Sequence, residues 1–252
     1  MTDALTPERV LPLLRGRFGR QFRYFESCAS TQLELSADDA EGTLAVAEHQ
    51  RAGRGRLGRY WDAPPGLAIL VSLVLKPPAQ LPQAQLSLIA GIAVARTVES
   101  ALPVSAALKW PNDVLVSGRK VAGVLAESRD RAVVLGVGLN VNQASADLPL
   151  EARLGATSLR ALDERVRDRA PLLAELLWQI EIAYDSWTTS GLAAASSELA
   201  TRDWLFGRKL AVGSVTGVAA GIADDGSLLL RDNEELRRVT SGAVRLCGTP
   251  DT

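Results

Sequence analysis

The segment between His49 and Trp61 concentrates positive charge on backbone that is free to turn. It contains four arginines and three glycines, and no acidic residue lies within it. Arginines this close repel one another unless an anion lies among them, and glycine lets a ligand approach the main chain closely. Arginine also supplies planar, bidentate donors that match carboxylate and phosphate groups. The segment therefore predicts a binding site for an anion, and an exposed basic loop is the simpler alternative.

The same segment formally fits a dinucleotide-binding motif. Gly53 to Gly58 matches G-x-G-x-x-G, which requires a helix directly after it and an acidic residue about 20 positions further on. The chain instead continues through Pro64, Pro65 and Gly66, which exclude a helix. Residues 63–98 contain no Asp or Glu. A nicotinamide or flavin site of this type is therefore excluded.

Composition limits the broad class of protein. The 252-residue chain is long enough for one large domain and a small one, and its 28 basic and 29 acidic residues nearly cancel. This balance argues against a general nucleic-acid binder. Cys28 and Cys247 are far apart and lack metal-type spacing, which indicates a reducing compartment. No signal peptide and no apolar run of about 20 residues is visible, so we expect a cytoplasmic protein without a membrane span.

The scarcity of histidine limits the chemistry. His49 is the one histidine, so Ser-His-Asp and Cys-His nucleophile systems and His-based zinc hydrolysis are excluded. An enzyme of this composition works by positioning and charge stabilisation. Four of the 28 basic residues are lysines, and two of these, Lys109 and Lys120, lie close together. Their proximity suggests that compact point charges are placed there for a ligand.

Apolar periodicity and turn residues predict an α/β (α+β) protein with helices on one face of a mixed sheet. We expect helices at 7–17, 30–35, 83–102 and 171–187, and strands at 22–25, 43–48, 67–75, 105–109, 113–117, 120–127 and 131–139. Short strands at 208–218, 226–231, 236–240 and 243–247 predict a small SH3-like β-barrel. The predicted domains are therefore 1–200 and 201–252.

A second dense cluster begins at Lys109-Trp110-Pro111-Asn112-Asp113. Asn112 and Asp113 suit ligand hydroxyls, amines or a divalent ion, although such residues are also common in turns after proline. Lys120 and Gly123 follow on a predicted strand, where a ligand could lie against bare backbone. The segment 136–142 is an apolar strand with two glycines, and it ends in two amides.

Together these residues resemble the biotin protein ligase family, the biotin–[acetyl-CoA-carboxylase] ligases. The resemblance extends from about Phe22 to Cys247. It rests on Ser30-Thr31, Gln50 with Gly53-Arg54-Gly55-Arg56, Trp61, Lys109 to Asp113, Arg119-Lys120, Ala122-Gly123, Gly138-Leu139-Asn140, Ala156-Thr157-Ser158-Leu159 and the C-terminal strands. Each motif is weak alone, but the set in this order is specific.

The resemblance implies a class II synthetase-like catalytic domain followed by the SH3-like barrel. It also implies that ATP and Mg²⁺ activate biotin as biotinyl-5'-AMP. The biotinyl group then passes to one lysine of a biotin carboxyl carrier protein. Two anions meet in the first step, so cationic groups are required and a protein nucleophile is not.

The roles implied for individual residues follow the family motifs. The expected catalytic residues are Arg56 and Lys120. The expected biotin-binding residues are Ser30, Thr31, Gln32, Gln50, Gly53, Arg54, Gly55, Arg56, Lys120, Gly123, Gly136 and Gly138. The expected ATP-binding residues are Arg54, Arg56, Trp61, Lys109, Asn112, Asp113, Lys120, Asn140 and Arg245, with Trp61 near the adenine. No individual magnesium ligand is predicted.

Two features differ from the family pattern. Gln32 stands where the family usually has Asn, which shifts the same amide groups by one methylene. The chain also begins too close to the catalytic motifs to hold the N-terminal DNA-binding domain of some relatives, so a monofunctional enzyme is expected. Relatives often pair through sheet edges, and a homodimer stays open.

Three alternatives remain. A lipoate- or octanoate-activating ligase has the same fold, but it lacks the Gly-Arg segment and the Lys-Trp-Pro-Asn-Asp block. A non-catalytic biotin sensor would not need phosphate-side cations such as Arg56 and Lys120. An interaction scaffold leaves the whole 50–59 segment unexplained.

Overall fold

The computed structural model of the chain describes residues 3–148 and 155–247. The helices are α1 (Pro7–Val10), α2 (Leu86–Ala101), α3 (Leu159–Asp163), α4 (Arg169–Ser190) and α5 (Ser196–Arg202). The strands are β1 (Phe22–Phe25), β2 (Leu44–Ala47), β3 (Ala68–Leu75), β4 (Ala106–Lys109), β5 (Asp113–Val116), β6 (Arg119–Arg129), β7 (Ala132–Asn140), β8 (Lys209–Val212), β9 (Val215–Ile222), β10 (Leu228–Asp232), β11 (Glu235–Val239) and β12 (Val244–Leu246). None of these helices is long and apolar enough to cross a membrane.

Seven strands form one mixed sheet in the order β1-β2-β3-β7-β6-β5-β4. β1 and β2 run parallel, whereas every other neighbouring pair is antiparallel. β3 is an interior strand of the sheet. Because every one of its residues is buried, its sequence is apolar except at Ser72. The predicted mixed α/β fold is confirmed.

The two faces of this sheet differ, because side chains alternate along each strand. Val71, Leu73 and Val137 pack in the main core with α2 and α4. Leu70 lies on the opposite face and packs with Trp61 outside that core. The prediction of helices on one sheet face is therefore confirmed, and the other face is free to line a site.

The C-terminal strands form a second, antiparallel sheet in the order β11-β10-β9-β8-β12. The single strand predicted at 208–218 is wrong, because the chain reverses at Gly213, where φ is +60°. Glycine adopts this conformation without steric cost, so β8 and β9 form a hairpin. The division of the chain between residues 200 and 201 stays a prediction.

Two predicted helices are wrong in length or kind. The helix at 7–17 ends at Val10 and continues as a 3₁₀ turn from Leu11 to Leu13, because Pro12 lacks an N–H and crowds the preceding turn. The helix at 30–35 is only a 3₁₀ turn, Thr31–Leu33, without a side-chain cap. The Ser30 and Thr31 side chains are directed to Gln50 Oε1, to which their hydroxyls donate, and not to the N–H groups of the turn.

A buried ionic cluster joins the N-terminal segment to the ends of β2 and β3. The Arg169 side chain is 1 % exposed and donates to the Asp3 carboxylate (Nε–Oδ2 2.9 Å), to Glu48 Oε2 (2.7 Å) and to the Ala68 carbonyl (2.8 Å). Glu48 in turn accepts the Leu5 N–H at 2.6 Å. Arg169 itself is almost fully buried, whereas Glu48 is 12 % and Asp3 30 % exposed, so removing Arg169 leaves two carboxylates without their cation in a partly buried environment.

We predict that Arg169→Met lowers the free energy of unfolding by about 3 kcal/mol, because it leaves two carboxylates without their cation. Urea denaturation measures this loss. Arg237→Met removes an exposed pair with Glu235 and should leave the urea midpoint unchanged. Equal midpoints for the two variants would contradict the role given to the buried cluster.

Candidate functional site

A cavity of about 630 Å³ lies on the face of the larger sheet away from α2 and α4. The segment 54–62 borders it on one side, and residues 242–244 of the C-terminal sheet border it on another. Both sheets therefore contribute to one cavity.

The floor of the cavity consists of two rows of residues across neighbouring strands. In the first row the register places Asp113, Gly123 and Gly138 side by side. In the second row it places Leu125, Gly136 and Ser72 side by side. Three of these six positions are glycines, so the floor is backbone where side chains would otherwise fill the space.

Trp61 lies over the glycines of the first row. A Cβ at Gly138 would be 2.4 Å from Trp61 Cε2, and one at Gly123 would be 2.9 Å from its Cζ3. The Lys120 ammonium is 5.3 Å from the centroid of the Trp61 ring, within the range of a cation–π contact. The indole Nε1 is buried without a hydrogen-bond partner among the described residues.

Gln50 organises the polar end of the cavity. Its Oε1 accepts from the Thr31 N–H at 2.7 Å, the Thr31 hydroxyl at 3.1 Å and the Ser30 hydroxyl at 3.3 Å. The Thr31 and Ser72 hydroxyls are 2.8 Å apart. The three side chains predicted for one pocket, Ser30, Thr31 and Gln50, are thus hydrogen-bonded to one another.

Gln32 is buried beside the second row of the floor. Its Nε2 donates to the carbonyls of Leu125 at 3.0 Å and Val134 at 3.3 Å. A Cβ at Gly136 would be 2.6 Å from this Nε2, so the glycine makes room for the longer amide. The Gln32 Oε1 is buried and has no partner among the described residues. A flipped amide would place Oε1 against two carbonyls, so this orientation is the favourable one.

The Gly-Arg segment is a tight hairpin. The Trp61 N–H donates to the Gly53 carbonyl at 3.0 Å, and the Gly55 N–H donates to the Arg59 carbonyl at 2.7 Å. A Cβ at Gly53 would be 2.2 Å from the Trp61 carbonyl, so this glycine permits the close pairing of the two strands. Leu57 at the tip has a φ of +56° and is exposed.

Two cations lie near one carboxylate at the first row. Lys120 Nζ is 2.6 Å from Asp113 Oδ1. Burial lowers the pKa of the Arg56 guanidinium below its usual value, Asp113 opposes this shift and Arg59 adds to it. Burial thus disfavours the charged guanidinium, and a bound anion would offset that cost.

The backbone around Lys120 is fixed by the segment 155–157. The Lys120 N–H donates to Gly155 at 3.1 Å, and its carbonyl accepts from Thr157 at 2.8 Å. Two other predicted ligands also serve the fold: Asn112 Nδ2 donates to the Val124 carbonyl, and Asn140 Nδ2 donates to the Thr157 carbonyl.

The predicted site residues are largely brought together. Those that line the cavity are Ser30, Thr31, Gln32, Gln50, Arg54, Gly55, Arg56, Trp61, Lys109, Asn112, Asp113, Lys120, Gly123, Gly136, Gly138 and Asn140. Gly53 and Arg245 are not among the lining residues. Gly53 is used inside the hairpin, and Arg245 is exposed on β12.

Sequence reasoning missed Ser72 and residues 242–244. Ser72 is the one polar residue in the apolar run of β3, so the sequence held a signal for it. Residues 242–244 border the cavity because of where the C-terminal sheet lies. No signal in the sequence predicts that placement.

Comparison with known proteins agrees with this geometry. The profile of the Biotin/lipoate A/B protein ligase family matches residues 24–143, and that of the Biotin protein ligase C terminal domain matches residues 210–246. Among relatives, the Biotin--[acetyl-CoA-carboxylase] ligase of Mycobacterium tuberculosis is 38% identical over 247 residues, covering 89% of this chain and 88% of its own. The Bifunctional ligase/repressor BirA of Bacillus subtilis is 38% identical over 244 residues, covering 90% and 74%.

The fold has a solved counterpart. The biotin protein ligase of Aquifex aeolicus in complex with biotin and ATP has a TM-score of 0.80 and 29% identity, covering 90% of this chain and 99% of its own. The chain therefore belongs to the biotin protein ligase family.

We predict that Gly136→Ala lowers the free energy of unfolding by about 1–3 kcal/mol, because the new methyl group meets the buried Gln32 amide. In a Gln32→Ala background the same substitution should cost much less, since its clash partner is gone. Urea denaturation of the four proteins gives the coupling energy. The same cost in both backgrounds would contradict the contact.

Proposed function

We propose that this protein joins biotin to AMP, with ATP as the other substrate, and transfers the biotinyl group to a lysine of a biotin carboxyl carrier protein. The observation that carries the proposal is the presence of Arg56 and Lys120 in the lining of one cavity, where Lys120 pairs with Asp113. They lie at one end of a cavity whose other end is built by Gln50 and its hydroxyl partners. A carboxylate and a phosphate brought to the first end would both meet positive charge.

The polar end suits the bicyclic ring of biotin. A ureido group offers both N–H donors and a carbonyl acceptor, and the Gln32 Oε1 is a buried acceptor without a protein partner among the described residues. We propose that a ureido N–H donates to Gln32, and that Ser30, Thr31 and Gln50 bind the rest of this group. The longer Gln32 amide retains an acceptor at this end because Gly136 gives it room.

The cationic end suits adenylate formation. The biotin carboxylate oxygen attacks the α-phosphorus, a new O–P bond forms, and the bond to pyrophosphate breaks with its electron pair on the leaving group. Negative charge gathers on the α-phosphate oxygens, where Lys120 and Arg56 stabilise it. Asp113 releases Lys120 as the phosphate replaces it. Arg54, Lys109, Asn112, Asn140 and Arg245 are proposed contacts for the nucleotide, with Trp61 near the adenine.

Mg²⁺ fits this site as a partner of the ATP phosphates. No group of three or more His, Cys, Asp or Glu in residues 3–148 and 155–247 could hold a metal by itself. Mg²⁺ usually binds through substrate phosphates and one or two carboxylates, and Asp113 is the carboxylate we propose for it. The ion neutralises phosphate charge when bound.

The second step transfers the acyl group. The neutral amine of the carrier lysine attacks the biotinyl carbonyl, an amide bond forms, and AMP leaves with the electron pair of the broken bond between the carbonyl carbon and the phosphate oxygen. The attacking nitrogen loses one proton to solvent. The carrier is proposed from what relatives act on, and a cytoplasmic location fits its substrates. A homodimer stays a proposal to be tested by sedimentation.

ATP–pyrophosphate exchange with biotin, with lipoate and with no acid tests the proposed function. We expect exchange only with biotin. Exchange with lipoate would keep the mechanism and overturn the substrate. If folded protein with magnesium shows no exchange with either acid, the proposed enzymatic activity is contradicted and a non-catalytic biotin sensor is favoured.

We predict that Lys120→Ala and Arg56→Ala each lower biotin-dependent exchange by about 100-fold, because each removes charge from the α-phosphate region. Their melting temperatures should match the wild type, since neither side chain lies in the apolar core. Lys209→Ala, an exposed lysine of β8, is the matched control and should exchange normally. Normal activity with a lowered melting temperature would contradict the assignment.

We predict that the hairpin 53–61 is held more firmly once biotin and ATP have reacted. Alternating glycine and arginine are costly to order without an anion among them. Cleavage by trypsin after Arg54, Arg56 and Arg59 should slow with both substrates present. Equal cleavage rates with and without substrates would be the contrary result.

A further inference from the structure

The nucleotide end of the cavity is attached to the C-terminal sheet through one indole. Trp110 is 2 % exposed, and its Nε1–H donates to the Gly226 carbonyl at 2.9 Å. Trp110 stands between Lys109 and the residues up to Asp113, which line the cavity. Gly226 lies in the turn between β9 and β10. The bond therefore joins the two sheets at the edge of the site.

A second side chain is hydrogen-bonded to the same turn. Gln85, at the start of α2, is buried, and its Nε2 donates to the Asp224 carbonyl at 2.7 Å. The Gln85 Oε1 accepts from the Trp187 indole at 2.6 Å, which fixes the direction of the amide. Trp110 and Gln85, which belong to the part of the chain around the larger sheet, thus donate to two carbonyls of one turn. We call this pair of bonds the Trp110–Gln85 clamp.

The turn is closed by its own hydrogen bonds. The Gly226 N–H donates to Ala223 at 2.8 Å, and the Ala223 N–H donates to Ser227 at 2.9 Å. Gly226 has a φ of +87°, and a Cβ there would be 3.2 Å from Gln85 Cγ. The turn fits closely against the clamp and belongs to the sheet whose residues 242–244 border the cavity.

We infer that residues 242–244 border the nucleotide end of the cavity and that Trp110 is a positioning residue, which sets where they stand through the Trp110–Gln85 clamp. Biotin binds at the other end, near Gln50, which the clamp does not touch. Loss of the clamp therefore affects the nucleotide and spares biotin. This inference rests on the proposed function, since it assigns the two ends of the cavity to ATP and biotin.

Trp110→Phe tests the inference because it keeps an aromatic ring and removes the N–H. We expect the KM for ATP in the exchange assay to rise about tenfold, with biotin affinity by calorimetry unchanged. Gln85→Leu removes the second bond and should act in the same direction, which keeps the test valid if Trp110→Phe fails to fold. Val98→Ala, a buried position of α2 outside the cavity, is the control for general destabilisation and should leave both quantities unchanged.

Hydrogen exchange separates failure of the clamp from failure of the proposed function. The Trp204 N–H donates to Leu108 at 2.9 Å and lies in the link between the sheets. We expect faster exchange at residues 203–208 and 223–227 in Trp110→Phe than in Val98→Ala, whether or not the protein turns over biotin. Unchanged exchange there, or equal losses of ATP and biotin affinity, would overturn the inference.

Discussion

The ion pair between Lys120 and Asp113 is the contact around which the site is arranged. Lys120 is half-exposed to the cavity, its backbone is fixed by residues 155–157, and Asp113 lies within 2.6 Å of it. Arg56 lines the same cavity from a hairpin more than fifty residues earlier in the sequence. Asp113 pairs with Lys120 and favours the charged form of Arg56, which partly offsets the repulsion between the two cations. An incoming phosphate can replace that carboxylate, so the positive charge that the reaction requires is already in place on Lys120.

The sheet makes this arrangement possible by using its two faces differently. One face carries Val, Leu and Ile into the core with α2 and α4. The other face carries glycines in register at 123, 136 and 138, so that Trp61 and Gln32 lie directly on the backbone. A methyl group would meet the Trp61 ring at Gly123 and Gly138, and the buried Gln32 amide at Gly136. The same alternation that builds the core therefore builds the cavity.

Much of this was predictable from sequence because the relevant signals are local or belong to a recognised family. The apolar run 67–75 predicts the interior strand β3, and the family motifs predict that Ser30, Gln50, Arg56 and Lys120 belong to one site. The helix expected after Ser30 is only a 3₁₀ turn, and the Ser30 and Thr31 side chains are directed to Gln50 Oε1 and not to the N–H groups of the turn. Residues 242–244 and the Trp110–Gly226 bond could not be predicted, because they depend on how the two sheets dock. Gln32 was noted as a departure, but its accommodation by Gly136 required the strand register.

We propose that Arg56 and Lys120 form a site for biotinyl-5'-AMP and not for biotin alone. Calorimetry with a non-hydrolysable biotinyl-AMP analogue and with biotin measures this directly. We predict that the wild type binds the analogue at least about 100-fold more tightly than biotin. An Arg56→Ala/Lys120→Ala double variant should bind the two equally. An analogue that binds the wild type no more tightly than biotin would contradict it.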